Sequence, residues 1–223
     1  TVGGQNLAIT GSGSVSTAVA GSGKTISLGT LTLTDGTGLA SNYSLSSGTF
    51  DINSRQVNIS GSRVYDGTTN VSGSDLTVTT GVGSEILTLS GTGSIASAIA
   101  GNGKSVTTGT LALNNGSGNS NNYTMGSITL DITKRTVNVD FEKTYDATTS
   151  VASSDLKSNG ITNTVLGHSL SLSGSGVMTS AGVGVDKTVS VGSLSLTGVQ
   201  ASNYTLSGGD LTIDVNPRLT NGP

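Results

Sequence analysis

The 223-residue sequence contains no cysteine and no tryptophan, and it has only two prolines and one histidine. Without cysteine the chain has neither disulfides nor thiolate metal sites. Charged residues make up only 10% of the chain, and its ten basic residues are scattered, so it lacks the basic patch of a nucleic-acid-binding protein. No apolar run reaches the length of a membrane-spanning helix. These absences exclude a disulfide scaffold, a cysteine-based zinc domain and a nucleic-acid binder.

Serine, threonine and glycine instead account for almost half of the residues. A disordered chain would usually carry more charge and less apolar patterning, whereas here apolar and polar residues alternate regularly, which indicates folded β-structure. The net charge is −3. The lack of cysteine suits a bacterial protein, and we expect an extracellular location on the bacterial cell surface.

The sequence repeats itself about every 80 residues. Residues 11–33 and 91–113 are identical at 12 of 23 positions, and residues 174–196 form a looser third copy. Such a period is typical of an array of equivalent modules and not of a single catalytic domain.

The repeats divide the chain at arginines that open successive units, Arg55, Arg135 and Arg218. We expect a partial repeat at residues 1–54, which aligns with the later two-thirds of a module, and complete repeats at 55–134 and 135–217. Residues 218–223 begin a further repeat or form a tail.

All five tyrosines occupy two recurring motifs. Tyr43, Tyr123 and Tyr204 lie in an Asn-Tyr-Ser/Thr motif, and Tyr65 and Tyr145 open a Tyr-Asp-Gly/Ala-Thr-Thr motif. We expect the rings to pack into the core of each repeat, while Asp66 and Asp146 cap a turn. The alternative is that Tyr65 and Tyr145 form an exposed glycan-binding surface.

The strands are visible as alternating apolar and polar residues, as in residues 127–133 and 211–215. The alternation continues past the repeat boundaries, so almost no linker joins neighbouring repeats, and we expect an end-to-end rod. The alternation of apolar and polar residues changes phase at the equivalent glycines Gly29, Gly109 and Gly192. This change predicts either a glycine-assisted β-bulge or a strand that crosses between sheets, and a tight turn is the alternative.

Each repeat holds six to eight short predicted strands. The sequence therefore predicts an all-β protein, a tandem array of small β-sandwich modules of immunoglobulin-like size that form an elongated rod. A β-solenoid is the alternative, although no sub-period of 20–30 residues supports it.

The ordered motifs resemble a known family. The segment Val64-Tyr65-Asp66-Gly67-Thr68-Thr69 is followed by Gly103-Lys104-Ser105-Val106 and then by Asn122-Tyr123-Thr124. This combination is similar to the YDG and MBG-type repeats of large secreted bacterial adhesins, including filamentous-haemagglutinin-like proteins. The last repeat departs from it, with Ala147 at the glycine that gives the motif its name. The resemblance implies a stalk region of an exported adhesin without catalytic residues.

The sequence predicts no catalytic residue, no cofactor and no metal site. No closely spaced acidic loop supplies the six to eight oxygens that calcium prefers. His168 corresponds to Glu85 in the preceding repeat, and we expect it to be a solvated loop residue.

We therefore expect a structural stalk of a secreted adhesin of the kind that supports biofilms. Its partners would be neighbouring repeats or other copies of the chain, with no membrane insertion. One alternative is a module that binds glycans or another polymer through a repeated face, with avidity from many weak sites. Another is a self-assembling extracellular filament subunit in which one chain donates a strand to the next.

Overall fold

A computed structural model describes residues 2–220. The predicted all-β class is confirmed, because the described residues form 23 strands and no α-helix. The helical segments within this range are single 3-10 turns, and none could cross a membrane. They are Ala40–Asn42, Gly73–Asp75, Ser120–Asn122, Ser153–Asp155, Ala201–Asn203 and Gly208–Asp210.

The strands follow the chain in order. The first repeat holds β1 (Leu7–Thr10), β2 (Ser14–Val15), β3 (Gly21–Ser27), β4 (Thr32–Asp35) and β5 (Thr49–Ile52). The second holds β6 (Arg55–Val64), β7 (Asn70–Ser72), β8 (Leu76–Thr79), β9 (Leu87–Ser90), β10 (Thr92–Ile95), β11 (Gly101–Thr107), β12 (Ala112–Asn115) and β13 (Tyr123–Thr133). The third holds β14 (Arg135–Thr136), β15 (Asn138–Thr144), β16 (Ser150–Ala152), β17 (Leu156–Thr162), β18 (Ser171–Ser173), β19 (Ser175–Met178), β20 (Gly184–Ser190), β21 (Ser195–Thr197), β22 (Tyr204–Thr205) and β23 (Leu211–Asn216).

The chain divides into two compact units that do not follow the sequence repeats. The first unit comprises Thr1–Ile59, Thr77–Ser90 and Ala112–Ser127, and the second comprises Ser60–Leu76, Gly91–Leu111 and Ile128–Pro223. The second repeat contributes to both units because β6, β8 and β13 each begin in one unit and end in the other. The boundary between the second and third repeats therefore lies inside one compact unit.

In the second unit the third repeat builds a six-stranded sheet in the order β16-β19-β20-β23-β15-β17. The neighbours β23 and β15 are parallel, with Val139 opposite Leu211 and Thr144 opposite Asn216, whereas the other neighbouring pairs of the sheet are antiparallel. The predicted alternation in residues 211–215 is confirmed, because Leu211, Ile213 and Val215 are buried and the residues between them are not. The strand β23 thereby presents an apolar face to the core.

Two smaller pairs complete the third repeat, the antiparallel β18-β21 and the parallel β14-β22. The second repeat has a related six-stranded sheet in the order β7-β10-β11-β13-β6-β8.

The first unit contains the sheets of the first repeat. A three-stranded sheet has the order β2-β3-β5, and β1 pairs with β4. The β12-β9 pair of the second repeat belongs to the same unit.

The recurring glycine after β3, β11 and β20 forms a tight turn, so the predicted bulge at Gly29, Gly109 and Gly192 is wrong. Gly29 has φ 56°, and the N–H of Leu31 donates to the carbonyl of Leu28 at 2.8 Å. A positive φ at the first central position is the feature of a type II′ turn, which glycine adopts without steric cost. The turn carries the chain from one sheet to another, from β3 to β4 and likewise from β11 to β12 and from β20 to β21. The predicted crossing between sheets therefore occurs through a turn.

The bulge lies instead about six residues earlier, in the Gly-x-Gly-Lys segment. In β11 the pairing register shifts between Gly101 and Lys104, and Gly103 has φ 62°. The side chain of Asp131 accepts the N–H of Gly103 at 2.6 Å. The same bond joins Gly23 to Asp51 and Asp186 to Asp214, so the recurring aspartates of the last strand fix the bulge of each repeat.

Candidate functional site

The Tyr-Asp motif forms a self-capped loop in both repeats that contain it. The side chain of Asp66 accepts the backbone N–H of Thr68 at 2.9 Å and its hydroxyl at 3.0 Å, and Asp146 does the same for Thr148. The residue between them is left-handed, with φ 77° at Gly67 and φ 64° at Ala147. This conformation explains the glycine of the motif, because a Cβ is crowded in the left-handed region.

A basic side chain two residues before Tyr65 and Tyr145 forms hydrogen bonds with the loop that follows. Arg63 donates to the carbonyls of Thr68 and Asn70, at 2.7 and 2.5 Å. In the third repeat Lys143, which is 8% exposed, donates to Asp146 at 3.0 Å and to the carbonyl of Ser150 at 2.7 Å. Sequence reasoning missed both residues, although a basic residue at the same place in both repeats was the available signal.

At the boundary of the second and third repeats, Tyr65 meets two aromatic rings of the next repeat. Its ring packs edge-on against Tyr204, with centroids 5.5 Å apart and planes at 83°, and lies 5.9 Å from His168. Tyr65 is 3% exposed, and burial together with the nearby Tyr204 and Asp66 raises the pKa of its phenol. We call the cluster of Tyr65, His168 and Tyr204 the aromatic joint.

The Tyr204 hydroxyl organises the polar part of the aromatic joint. It accepts the backbone N–H of Val165 at 3.0 Å and forms a hydrogen bond with His168 Nδ1 at 2.7 Å. The His168 side chain is therefore half-buried and bonded, and the expectation of a solvated loop histidine is wrong.

The hydrogen bond to this tyrosine recurs in every repeat, although its partner changes. Tyr43 donates to Gln5 Oε1 at 2.7 Å, and Tyr123 donates to Glu85 Oε2. The bond to the Glu85 carboxylate raises the pKa of the Tyr123 phenol, because it favours the protonated form. The position thus holds glutamine, glutamate and histidine in successive repeats. These residues differ in charge, but each has a side chain that can form a hydrogen bond with the tyrosine hydroxyl. The alignment of His168 with Glu85 contained this signal.

The asparagine of the Asn-Tyr motif joins neighbouring repeats. Asn203 is buried, and its Oδ1 accepts the backbone N–H of Ala100 in the preceding repeat at 2.9 Å. Asn122 accepts the N–H of Ala20 in the same way at 2.8 Å. Because the same hydrogen bond joins the first repeat to the second and the second to the third, it is a recurring feature of the repeat boundary.

Arg135, the first residue of the third repeat, forms further hydrogen bonds across this boundary. Its guanidinium donates to the Asn163 backbone carbonyl at 2.8 Å and to the Asn163 side chain at 2.9 Å. It also reaches the backbone carbonyl of Tyr65 at 3.3 Å. The arginines that mark the repeat boundaries in the sequence thus include one that ties the Tyr-Asp loop to the next repeat.

The predicted tyrosines differ in their burial. Tyr65, Tyr123 and Tyr204 are buried and Tyr43 is half-buried. Tyr145 is 38% exposed, so the expectation that its ring packs into the core does not hold. In Tyr65 the covering rings come from the following repeat, and residues 2–220 place no such rings against Tyr145.

The chemistry of this site is that of a structural contact between aromatic, amide and guanidinium groups. Among residues 2–220, no group of three or more His, Asp or Glu side chains is arranged to hold a metal ion.

Comparison with known proteins identifies the repeats. A family model described as the YDG domain matches residues 52–130 and again residues 131–212. Searches among curated proteins and among solved structures returned no match. The two matched segments cover well over half of the chain and contain both Tyr-Asp loops, and the chain therefore belongs to the YDG domain family.

Proposed function

We propose that this chain is a structural stalk segment of a secreted bacterial cell-surface adhesin. In this role YDG repeats set the distance between the cell and an adhesive part of the protein. The repeats act mechanically, and their partners are neighbouring repeats of the same chain or other copies of it. The family membership and the composition support the extracellular location.

The observation that carries the proposal is the absence of a linker at the boundary inside the second unit. Only Lys134 lies between β13 and β14, and only Val137 lies between β14 and β15. The aromatic joint, the Asn203–Ala100 bond and the Arg135 contacts surround this connection. A linker of one residue cannot behave as a flexible coil, so the joint resists bending.

We further propose that each repeat is a small two-layer β-sandwich. In the third repeat the turn residue Leu194 is buried, and Gly176 leaves room for its side chain and for that of Val189. This packing favours a layer of β18 and β21 against the six-stranded sheet. The prevalence of antiparallel neighbours disfavours the alternative β-solenoid, whose coils pair in parallel.

The competing proposal of a glycan-binding face receives less support. Such a face would need exposed aromatic rings at the same place in each repeat, whereas Tyr65 is buried in the aromatic joint and Tyr145 is partly exposed. A glycan array probed with the chain separates the two proposals. Binding that is lost in Tyr145→Ser would favour the glycan-binding module.

Small-angle X-ray scattering tests the stalk. We expect a maximum dimension well above that of a 223-residue sphere. A matched variant with six Gly-Ser residues inserted between Lys134 and Arg135 should scatter as a more flexible particle, because the insertion replaces a one-residue connection by a coil. A compact globule for the unmodified chain, or identical scattering from both proteins, would contradict the proposal.

A further inference from the structure

The third repeat is longer than the second repeat at two places. Residues 75–85 of the second repeat correspond to 155–168 of the third, which is three residues longer. Residues 123–131 correspond to 204–214, which is two residues longer. The ends of these ranges are equivalent residues of the recurring motifs, so each difference is an insertion in the third repeat.

The first insertion forms a bulge in β17. Leu156 pairs with Phe141 and Ile161 pairs with Val139, so the four residues 157–160 lie opposite a single residue of β15. Regular pairing would place one residue there, and the excess of three residues equals the length of the insertion.

The second insertion contains the 3-10 turn Gly208–Asp210. In the second repeat β13 runs without interruption from Tyr123 to Thr133, whereas in the third repeat this turn separates β22 from β23. The backbone N–H of Asp210 donates to the carbonyl of Ser207 at 3.0 Å, which closes the turn.

Both insertions line the same cleft, which has a volume of about 460 Å³. Between them, β15 contributes Asn138, Val139 and Asp140 to the lining, and β23 contributes Thr212. A cleft of this volume can hold a small ligand. Because the second repeat has neither insertion, the cleft is specific to the third repeat.

The charged groups of the cleft are also specific to the third repeat. Asp140 occupies the position of Ser60, Lys157 occupies the position of Thr77, and Asp210 lies in the inserted turn. The third repeat therefore differs from the second in both the shape and the charge of this surface.

Hydrogen bonds hold Asp140 and Lys157 in place. Asp140 accepts the hydroxyl of Thr212 at 2.7 Å. The ammonium of Lys157 donates to Asp214 at 2.8 Å and lies 3.6 Å from Asp140. The positions of these groups are thus set by the protein before any ligand binds.

Four other polar side chains of the cleft are available to a ligand. The part of the chain that the structure describes offers no hydrogen-bonding partner to the side chains of Asn138, Asn159, Thr162 and Asp210. An amide or a hydroxyl group both donates and accepts, whereas a carboxylate only accepts. This mixture matches the hydroxyl groups of a saccharide, each of which also donates and accepts.

Other classes of ligand fit the cleft less well. Within residues 2–220 no group of three His, Asp or Glu side chains is arranged to hold a metal ion. An anion would face the carboxylates of Asp140 and Asp210, and the one ammonium in the cleft, that of Lys157, is already paired with Asp214. An amine could pair with Asp210 but would leave the two asparagine amides without a role.

We propose that the cleft between the β17 bulge and the Gly208–Asp210 turn is a saccharide-binding site of the third repeat. The carboxylate of Asp210 accepts ligand hydroxyl groups, and the amides of Asn138 and Asn159 both donate to them and accept from them. No aromatic ring lines the cleft, so we expect a dissociation constant in the millimolar range. The site goes beyond the stalk role and does not depend on it, and it is separate from the tyrosine motifs.

NMR titration of the intact, ¹⁵N-labelled chain tests the proposal. The probes are the methyl glycosides of glucose, galactose, mannose and N-acetylglucosamine, each added alone, with methylammonium as the amine probe. We expect at least one glycoside to shift the backbone amide signals of residues 157–162 and 208–212 in a saturable manner. The absence of such shifts with all four glycosides, or shifts with methylammonium alone, would overturn the proposal.

Three variants provide the matched controls. Asn159→Gly removes the amide without backbone strain, because Asn159 has φ 57° and glycine adopts this conformation freely. Asn159→Gly and Asp210→Asn should each weaken binding about tenfold, as loss of a hydrogen bond to a ligand does. Tyr145→Ser should leave binding unchanged. Equal binding by all three variants, or a loss confined to Tyr145→Ser, would overturn the proposal.

Discussion

The loops at Tyr65 and Tyr145 have the same local structure and different surroundings. In each, the tyrosine N–H donates to the last strand of its repeat, to Thr133 or to Asn216, and the aspartate caps the following threonine. The ring of Tyr65 is buried against His168 and Tyr204, whereas Tyr145 is 38% exposed. The comparison shows that the motif encodes the loop by itself, and that burial of its ring depends on the repeat that follows.

A second difference concerns the residues that hold the loop. The second repeat uses Arg63 and Gly67, and the third uses Lys143 and Ala147. The third repeat therefore has a strained alanine where the second has a glycine, while a lysine replaces the planar fork of an arginine. These differences should affect the stability of the two repeats unequally.

Truncation of the two tyrosines should give the largest contrast. We expect Tyr65→Ala to lower the free energy of unfolding by about 3–5 kcal/mol, as removal of a buried aromatic ring does. Tyr145→Ala should cost less than about 1 kcal/mol, because much of the ring already contacts solvent. Guanidinium denaturation followed by circular dichroism measures both values. Equal losses in the two variants would mean that the aromatic joint does not stabilise the boundary.

Removal of the buried ammonium of Lys143 should have the next largest effect. Lys143→Met keeps the approximate length of the side chain but removes the ammonium that donates to the carbonyls of Thr148 and Ser150, so we expect a loss of about 2 kcal/mol. Lys143→Arg is the matched control, since arginine fills this position in the second repeat, and it should retain most of the stability. A neutral Lys143→Met variant would contradict the holding role of this residue.

The left-handed residue of the loop should give a smaller change, of opposite sign in the two repeats. Ala147→Gly should raise the free energy of unfolding by up to about 1 kcal/mol, because glycine has no Cβ to strain. Gly67→Ala should lower it by at least about 1 kcal/mol, since its Cβ would also lie 3.0 Å from the Val165 side chain. Thermal unfolding of the two single variants and of the double variant measures the changes. A stabilising Gly67→Ala would show that strain does not explain the glycine.

The acid sensitivity of the third-repeat loop should be the smallest effect. Hydrogen bonds from Thr148 and Lys143 lower the pKa of Asp146 from 3.8 to about 2. The stability that this carboxylate contributes is present above its ordinary pKa and is lost as the pH falls through about 2. Denaturant unfolding between pH 5 and about 2 should therefore show a steeper loss for the unmodified chain than for Asp146→Asn. Parallel curves for the two proteins would contradict the assignment.

The sequence was sufficient to predict the local features that its own residues determine. The alternation in Leu211, Ile213 and Val215 predicted a one-sided strand, and the phase change at Gly29 predicted a crossing between sheets. The predicted bulge at this glycine was wrong. The alternation shows that the side chains change face, but it does not show whether a bulge or a turn causes the change.

Features that depend on distant parts of the chain escaped prediction. His168 and Tyr65 are about 100 residues apart, and only the fold brings their rings together. The bond of Asn203 to Ala100 involves a backbone N–H, which has no signature in the sequence. The exposure of Tyr145 was missed for the same reason, since its motif is nearly identical to that of the buried Tyr65.

The parallel pairing of β15 with β23 has a mechanical consequence. The third repeat begins near one end of this pair, at Asn138, and finishes at the other, at Asn216, and six residue pairs from Val139–Leu211 to Thr144–Asn216 lie between these ends. A pulling force applied through the two ends would slide the strands along each other. All hydrogen bonds of the pair would then carry the load together, whereas strands that peel apart from one end break their bonds one after another. The third repeat is therefore arranged to resist tension along the chain.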